Sequence, residues 1–273
     1  MTINIDRDAC AGCGACSEVC PGGIIEPMKG TALPYVPTEK EGQCLSCGQC
    51  EAFCPTGALV QGDRTGTTPA SPLGALSAEQ LGLYLKSRRS VRQYRSDPVP
   101  RETIEALLEI ARYAPSGGNG QPVEWLVIHD PDEVRKVAAL VVDWMRELAR
   151  SGHPMAAYIA PLVAAWDRGT DMICRGAPHL LVAHVPAAVP TGTVDAVIAL
   201  THVDLAAPSF GLGTCWAGFV AMACQTHPPL QEYLALPPGR VPAYAMMLGY
   251  PRYRPHQVPG RKPVRVTWRE ERR

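Results

Sequence analysis

Eight cysteines fall within the first 54 residues of this 273-residue chain, in two runs that repeat one spacing: Cys10-x2-Cys13-x2-Cys16-x3-Cys20-Pro21 and Cys44-x2-Cys47-x2-Cys50-x3-Cys54-Pro55. Only Cys174, Cys215 and Cys224 occur in the remainder. Three thiolates at this spacing can wrap one face of an iron–sulfur cubane, while the fourth points away and supplies a neighbouring cubane. The runs therefore predict two [4Fe–4S] clusters with crossed ligation. Cys10, Cys13, Cys16 and Cys54 hold one; Cys44, Cys47, Cys50 and Cys20 hold the other. Gly12, Gly14 and Gly48 allow close backbone approach to the sulfides, and Pro21 and Pro55 stop the chain after each fourth ligand. Structural zinc is the competing reading, but its sites usually pair two C-x2-C elements rather than placing three cysteines in one run.

The two runs match the bacterial ferredoxin pattern, which gives an N-terminal ferredoxin-type domain over 1–62. Between the runs, Ala32-Leu-Pro-Tyr-Val36 reads as a short extended stretch, with Tyr35 as packing rather than an electron relay. Gln61 to Gly74, QGDRTGTTPASPLG, has almost no apolar content and reads as a linker, so 63–76 separates the ferredoxin-type domain from a body over 77–273. A body of about 200 residues can bury roughly 70% of its unfolded surface and needs no cross-links.

Lys+Arg and Asp+Glu balance at 26 each, which gives no electrostatic case for a nucleic-acid or anionic-membrane partner. The first 20 residues carry Asp6, Arg7 and Asp8 and no apolar secretory run. The longest apolar stretch, Ala177 to Pro190, is broken by His179, His184 and prolines and is too short for a bilayer. A cytoplasmic protein with reduced thiols is the expectation, and disulfides fit it poorly.

In the body, Ser77-Ala-Glu-Gln80 is a capping box that opens a helix to about Arg88, with Leu81, Tyr84 and Leu85 on one stripe. A second helix begins near Pro100 with Ile104, Leu107, Leu108 and Ala111 at helical spacing and ends by Pro115. Trp125 to His129 reads as a buried strand. Asp130-Pro131 then caps a long helix lined by Val134, Val137, Val141, Trp144, Met145 and Leu148 and closed by Ser151-Gly152. His179 to Val185 and Val241 to Leu248 read as strands, and Ala196 to Leu212 as a helix disturbed at Pro208. Without a clear βαβ repeat, the pattern predicts an α+β layer.

Chemistry in the body starts at Arg88-Arg89-Ser90-Val91-Arg92. Guanidinium forks and a hydroxyl suit a phosphate that carries nearly two charges. Pro115-Ser-Gly-Gly-Asn-Gly-Gln-Pro122 adds glycines for close backbone approach and polar groups at Ser116, Asn119 and Gln121. Each segment alone also suits a solvated helix end or a plain turn. Taken in order with Gly211-Leu-Gly-Thr-Cys-Trp-Ala-Gly218, Leu248-Gly-Tyr-Pro251 and Gly260-Arg-Lys-Pro263, they resemble the FMN-dependent nitroreductase family, in its members with a fused ferredoxin domain. The similarity spans about 77–273. It implies a nitroreductase-like mixed sheet flanked by helices, FMN as cofactor, and a homodimer with flavins at the interface. Arg88, Arg89, Ser90 and Arg92 would bind the phosphate and ribityl chain, helped by Arg261 and Lys262. Pro115, Ser116, Gly117 and Asn119 would line the flavin from the partner subunit, and Trp216, Ala217 and Gly218 would set backbone beside the isoalloxazine, where an amide donor near N5 tunes reduction. Val123 stands where many members have Trp after Gln-Pro.

No nucleophile–base pair is needed for flavin chemistry, and none is evident. His129, His179, His184, His202 and His227 lack metal spacing and read as structural or surface histidines, Cys215 reads as packing, and Asp195 and Asp204 read as caps or dimer partners. Segment 151–176 occupies the place of the family's variable lid. Clusters move single electrons and FMN can pass on two, so the combination predicts an oxidoreductase fed by a low-potential donor, ferredoxin or flavodoxin. Its acceptor would be a nitroaromatic, a quinone or an activated alkene. Alternatives are an electron relay or sensing module for a protein partner, dehydrogenation in the oxidising direction, and direct reduction by NAD(P)H.

Overall fold

The computed structural model describes residues 3–27, 33–62 and 75–269. Most of the expected linker, 63–74, and Ala32 of the extended stretch lie outside the described residues. The chain divides into two compact units, Met1–Ala75 with Pro115–Pro122, and Leu76–Ala114 with Val123–Arg273.

The first unit repeats a small pattern twice. β1 (Ile3–Ile5) precedes a one-turn helix α1 (Ala15–Glu18) and β2 (Glu26–Pro27). β3 (Pro34–Tyr35), a 3-10 segment over Thr38–Gln43, α2 (Gln49–Ala52) and β4 (Leu59–Gln61) follow. β1 pairs antiparallel with β4, and β2 with β3. α1 and α2 each start after a left-handed glycine, Gly14 at φ 75° and Gly48 at φ 72°. That backbone strongly favours residues without a Cβ, so the middle glycines of the two cysteine runs are set by helix entry as well as by sulfide access. The third cysteine of each run, Cys16 or Cys50, is buried in the helix that follows. The core is Cys16, Ile24, Ile25, Cys50 and Leu59, with Ile3, Ile5 and Val36 packed against it. Tyr35 lies at the surface, where its hydroxyl donates to Glu26 at 3.4 Å beside a Lys40–Glu26 ion pair.

The loop 115–122 also belongs to this unit. Gly117–Asn119 form a 3-10 turn, Gly118 and Asn119 both have φ near 56°, and Gln121 has φ 44°. The Ser116 hydroxyl accepts from the Gln121 amide at 2.9 Å.

The second unit opens with α3 (Ala78–Ser87), whose expected capping box is present: the Ser77 hydroxyl accepts from the Gln80 amide at 3.1 Å, and the Gln80 side chain accepts from the Ser77 amide at 3.0 Å. α4 (Arg101–Ala111) ends four residues before Pro115 and buries Ile104, Leu107 and Ala111. β5 (Glu124–Ile128) leads into α5 (Pro131–Arg150), capped by the Asp130 carboxylate at 2.8 Å from the Asp132 amide. Next come α6 (Ala156–Asp167), β6 (His179–Pro186), α7 (Gly192–Ala206), β7 (Gly213–Trp216), α8 (Gly218–Thr226), α9 (Pro228–Leu234) and β8 (Arg240–Gly249). The helix expected over Ala196–Leu212 thus starts at Gly192 and stops before Pro208. Pro208 sits in a 3-10 turn, Ala207–Phe210, where its missing amide costs no α-helical bond.

The sheet order is β5-β6-β8-β7. The α+β class stands. The sheet implied to be mixed has, among the described residues, antiparallel pairs throughout. The connections explain this. Two helices link β5 to β6 and two link β7 to β8, so each of those strand pairs reverses direction. One helix links β6 to β7, which run the same way with β8 inserted between them. Alternate residues of β6 enter separate cores. Leu180 and Val182 meet α5, α8 and Ile159 of α6, while Leu181, Ala183 and Val185 meet α4 and α7. Both faces are covered, which is why β6 and β8 are apolar at successive positions rather than alternating.

Candidate functional site

In the first unit, four thiols from both runs surround one cavity: Cys20, Cys44, Cys47 and Cys50, with Ile24, Ile25, Gly48 and Gln61 completing its wall. Burial pushes the Cys50 thiol up to about 11, and the neighbouring Cys47, Cys20 and Cys44 add to the rise. Cys20 of the first run therefore shares a cavity with Cys44, Cys47 and Cys50 of the second. Cys16 is raised by burial too, with a contribution from Cys10. At Cys54 burial acts upward, but hydrogen bonds from Thr56 and from the Ala58 and Leu59 amides outweigh it and lower the thiol. Among the described residues no three His, Cys, Asp or Glu side chains gather as ligands of a single ion. The four-thiol cavity fits a multi-atom group better than the ~2.3 Å shell of a lone zinc.

Gln61, where the expected linker begins, lies instead in β4 with 2% exposure and donates from Nε2 to Cys44 Sγ at 3.3 Å. Its Oε1 is buried without a partner. A polar residue beside Gly and Asp gave no sequence signal for this role.

In the second unit three motifs converge. Val91 N donates to Thr214 O at 2.8 Å, Tyr94 bridges to Pro251, and Arg95 N donates to Tyr250 O at 2.9 Å. The segment 88–95 thereby lies across β7 and the end of β8. Two glycines make this possible. A Cβ on Gly213 would stand 2.4 Å from Val91 Cγ2, and one on Gly249 would stand 2.7 Å from the Pro178 ring and 3.0 Å from Tyr94. The Tyr94 hydroxyl donates to Val91 O at 2.8 Å, and burial drives its ionisation far above the usual range.

Asp204 of α7 is the hub of this arrangement. Only 5% exposed, its carboxylate accepts from the Thr214 hydroxyl and from Trp216 Nε1 at 3.3 Å, and it pairs with Arg88 Nε at 3.4 Å. This corrects its reading as a cap or dimer partner. Asp195 accepts from the Thr191 hydroxyl at 2.9 Å near the start of α7. The Arg88 guanidinium is held at one nitrogen, while its Nη1 is buried with no partner. A buried cationic donor is costly unless something accepts from it, so Arg88 is poised for an anionic or carbonyl-bearing ligand.

Arg89 turns back and donates to Lys86 O at 2.7 Å and Arg88 O at 2.5 Å, at the C-terminal end of α3. Arg92 donates weakly to Ser90 O at 3.5 Å and stays at the surface. The Trp216 ring packs edge-on against Tyr244 with centroids 5.1 Å apart. The Ala217 amide donates to Ala245 O at 2.9 Å. Gly218 opens α8, where a first-turn amide has no intrahelical acceptor. Arg261 and Lys262 lie on an exposed C-terminal segment without helix or strand. Among the described residues no hydrogen bond or ion pair joins them to Arg88 or Ser90. Pro115, Ser116, Gly117 and Asn119 belong to the first unit.

The remaining titratable groups are structural. His179 is fully buried, accepts from Val99 N at Nε2 and donates from Nδ1 to His129 O, each at 2.8 Å. It stacks on His129, and burial lowers it to about 4. Cys174, Cys215 and Cys224 are buried, and burial raises each thiol. Segment 151–176 contains α6 and a turn in which the Asp171 carboxylate accepts from the amides of Ile173, Cys174 and Gly176. No helix among the described residues is long and apolar enough to cross a membrane.

Comparison with known proteins agrees with this geometry. Residues 85–250 match the Nitroreductase family, and residues 9–59 match a 4Fe-4S dicluster domain. An FMN reductase [NAD(P)H] of Bacillus subtilis is 31% identical over 179 residues, 64% of this chain and 67% of its own length. Two solved nitroreductases with bound FMN share the fold at 21% identity. One, from Bacteroides fragilis, has a TM-score of 0.55 and covers 70% of this chain and 99% of its own. The other, from Desulfitobacterium hafniense, has a TM-score of 0.56 and covers 70% and 98%. The chain belongs to the nitroreductase family and carries a 4Fe–4S dicluster domain ahead of it.

Proposed function

We propose that this chain is an FMN-dependent oxidoreductase in which electrons from a low-potential protein donor, ferredoxin or flavodoxin, enter through two [4Fe–4S] clusters and reach FMN and then a small organic acceptor. Nitroaromatics, quinones and activated alkenes are the acceptor classes. The observation that carries the reading is the joining, in one chain, of a four-thiol cavity built from both cysteine runs with an arginine held by Asp204 and left with a buried, unsatisfied donor.

Cys10, Cys13, Cys16 and Cys54 hold one cluster, and Cys44, Cys47, Cys50 and Cys20 the other. Arg88, Arg89, Ser90 and Arg92 bind the FMN phosphate and ribityl chain. Pro115, Ser116, Gly117 and Asn119 line the flavin from the partner subunit, and Trp216, Ala217 and Gly218 set backbone beside the isoalloxazine. Arg261 and Lys262 assist from the C-terminal segment. The clusters supply single electrons, and FMN converts them to two-electron chemistry. Asp204 orients Arg88 and Trp216, Gly213 and Gly249 let the 88–95 segment lie flat, and Tyr94 braces that segment while keeping its own proton.

A homodimer is part of the same reading. α3 buries none of its residues and exposes Leu81, Leu83 and Leu85. The C-terminal segment exposes Val264, Val266 and Trp268, the last at 81%. Exposed apolar groups of this density suit a protein interface. The domain division is 1–62, linker 63–76 and 77–273.

A second reading is favoured by relatives such as the FMN reductase [NAD(P)H] of B. subtilis, which point to NAD(P)H as a direct hydride donor. Anaerobic stopped-flow reduction discriminates. Protein analysed for iron, sulfide and FMN is mixed with reduced ferredoxin, NADH or NADPH while flavin absorbance is followed. Fast bleaching by ferredoxin alone supports the proposal. Equal bleaching by NADPH in a protein stripped of its clusters replaces the donor, and absence of FMN from the purified protein removes the enzyme.

A further inference from the structure

Asn119 links two loops that the sequence separates by more than seventy positions. Its Nδ2 donates to Ser46 O at 2.9 Å and to Leu45 O at 3.3 Å. Leu45 and Ser46 are the two residues between Cys44 and Cys47, the first two thiols of the second run. Ser46 has φ 52° and Asn119 φ 56°. Non-glycine residues hold such backbone only where their surroundings impose it, and Asn is among the side chains that tolerate it. Strained geometry on both sides of one contact marks a fixed junction, and Asn119 spends its amide on the second cysteine run, not the first.

The geometry points to a serial route in which the cluster held by Cys44, Cys47, Cys50 and Cys20 is the one that reduces the flavin, with Asn119 fixing its loop to the flavin-lining loop. The other cluster takes electrons from the donor and refills it. Each internal transfer oxidises the second cluster by one electron and adds that electron to FMN. Two transfers and two protons from solvent complete flavin reduction, and two oxidised donor molecules balance them. The inference rests on the flavin-lining role proposed above for 115–122.

Anaerobically reconstituted holoprotein is reduced by a laser-driven photoreductant, and flavin bleaching is timed in the wild type and in Cys13→Ser, Cys47→Ser and Asn119→Ala. EPR and iron counts establish which cluster each variant retains. Compared per retained cluster, Cys47→Ser is expected to transfer electrons to the flavin more than about tenfold more slowly than Cys13→Ser. Asn119→Ala needs no cluster loss. It is expected to slow transfer while raising amide hydrogen exchange over 44–48 and leaving 10–14 unchanged. A wild-type rate in Cys47→Ser, or unchanged exchange at 44–48 in Asn119→Ala, overturns the inference. If instead the wild type itself holds FMN that no cluster reduces, the proposed function fails before the order of clusters is at issue.

Discussion

Replacing Asp204 by Asn tests whether Arg88, the arginine proposed to hold FMN, is positioned by its neighbour or arrives ready-made. The carboxylate is 5% exposed and serves Thr214, Trp216 and Arg88 together. An amide whose oxygen takes the Oδ2 place can keep the bonds to Trp216 and Arg88 and turn its nitrogen toward the Thr214 hydroxyl, but it carries no charge to set against the guanidinium. Breaking a fully buried ion pair costs about 3–5 kcal/mol. The Arg88 side chain is 28% exposed, so water recovers part of this, and about 1–3 kcal/mol is expected for the fold. That is a fall of roughly 2–10 °C in Tm for a unit of this size. Losing orientation of one charge-assisted hydrogen bond to FMN costs about 1.5–3 kcal/mol, a rise of roughly tenfold to a hundredfold in Kd. FMN titration followed by flavin and Trp fluorescence reads the affinity, and Thr214→Val separates packing from charge because it leaves the Asp204–Arg88 pair intact. Asp204→Asn with wild-type FMN affinity and a lowered Tm would reduce Asp204 to a stabilising core residue and refute the argument.

Gln61→Leu removes the N–H···S bond to Cys44 and also the orphaned Oε1. Hydrogen bonds to cluster sulfur favour the reduced state, so one of the two cluster potentials is expected to move negative in an EPR redox titration while the other stays. Gly213→Val forces a side chain into Val91, where even a Cβ has 2.4 Å. It is expected to cost about 1–3 kcal/mol and to release FMN, as read by gel filtration with absorbance at the flavin band. His179 is lowered by burial to about 4 from an ordinary value near 6.5, so between those values the unfolded chain binds the extra proton and stability is lost as pH falls. About 2 kcal/mol is expected to be lost by pH 5, and urea midpoints at pH 7.5 and 5 should converge in His179→Gln relative to wild type.

What could be read from sequence was what is local. The Ser77–Gln80 box and the Asp130-Pro131 start are short-range hydrogen-bond patterns, and both helices begin where those patterns place them. Runs of apolar residues marked β6 and β8, whose length and burial separate them from helices. α6 escaped notice because Ala156, Ala157, Ala160, Ala164 and Ala165 give it no distinct apolar face and Pro161 lies inside it. β7 is four residues long and sits within a glycine-rich motif that reads as a turn. Asp204 was visible as a carboxylate between Val203 and Leu205, but which groups face it depends on how α7 packs on β7, and no local pattern encodes that. Gln61 failed for the same reason: a polar side chain becomes a sulfur donor only once β4 pairs with β1.

The two units meet different physical problems, and this decides how their chemistry is held. A core of Cys16, Ile24, Ile25, Cys50 and Leu59 is too small to hold a chain of this length in one conformation, and two of those five residues are ligands in the proposed arrangement. Folding there is inseparable from cluster assembly, since thiols that burial raises must lose protons to bind iron and the binding free energy becomes folding free energy. The second unit has two continuous cores on either side of its sheet and can fold before any cofactor arrives. Among its described residues the cationic donor left unmet is Arg88 Nη1, on the guanidinium whose Nε pairs with Asp204. Loss of both clusters is therefore expected to loosen the first unit, the 115–122 loop included, whereas loss of FMN is expected to leave the second unit folded with the Arg88 donor unmet.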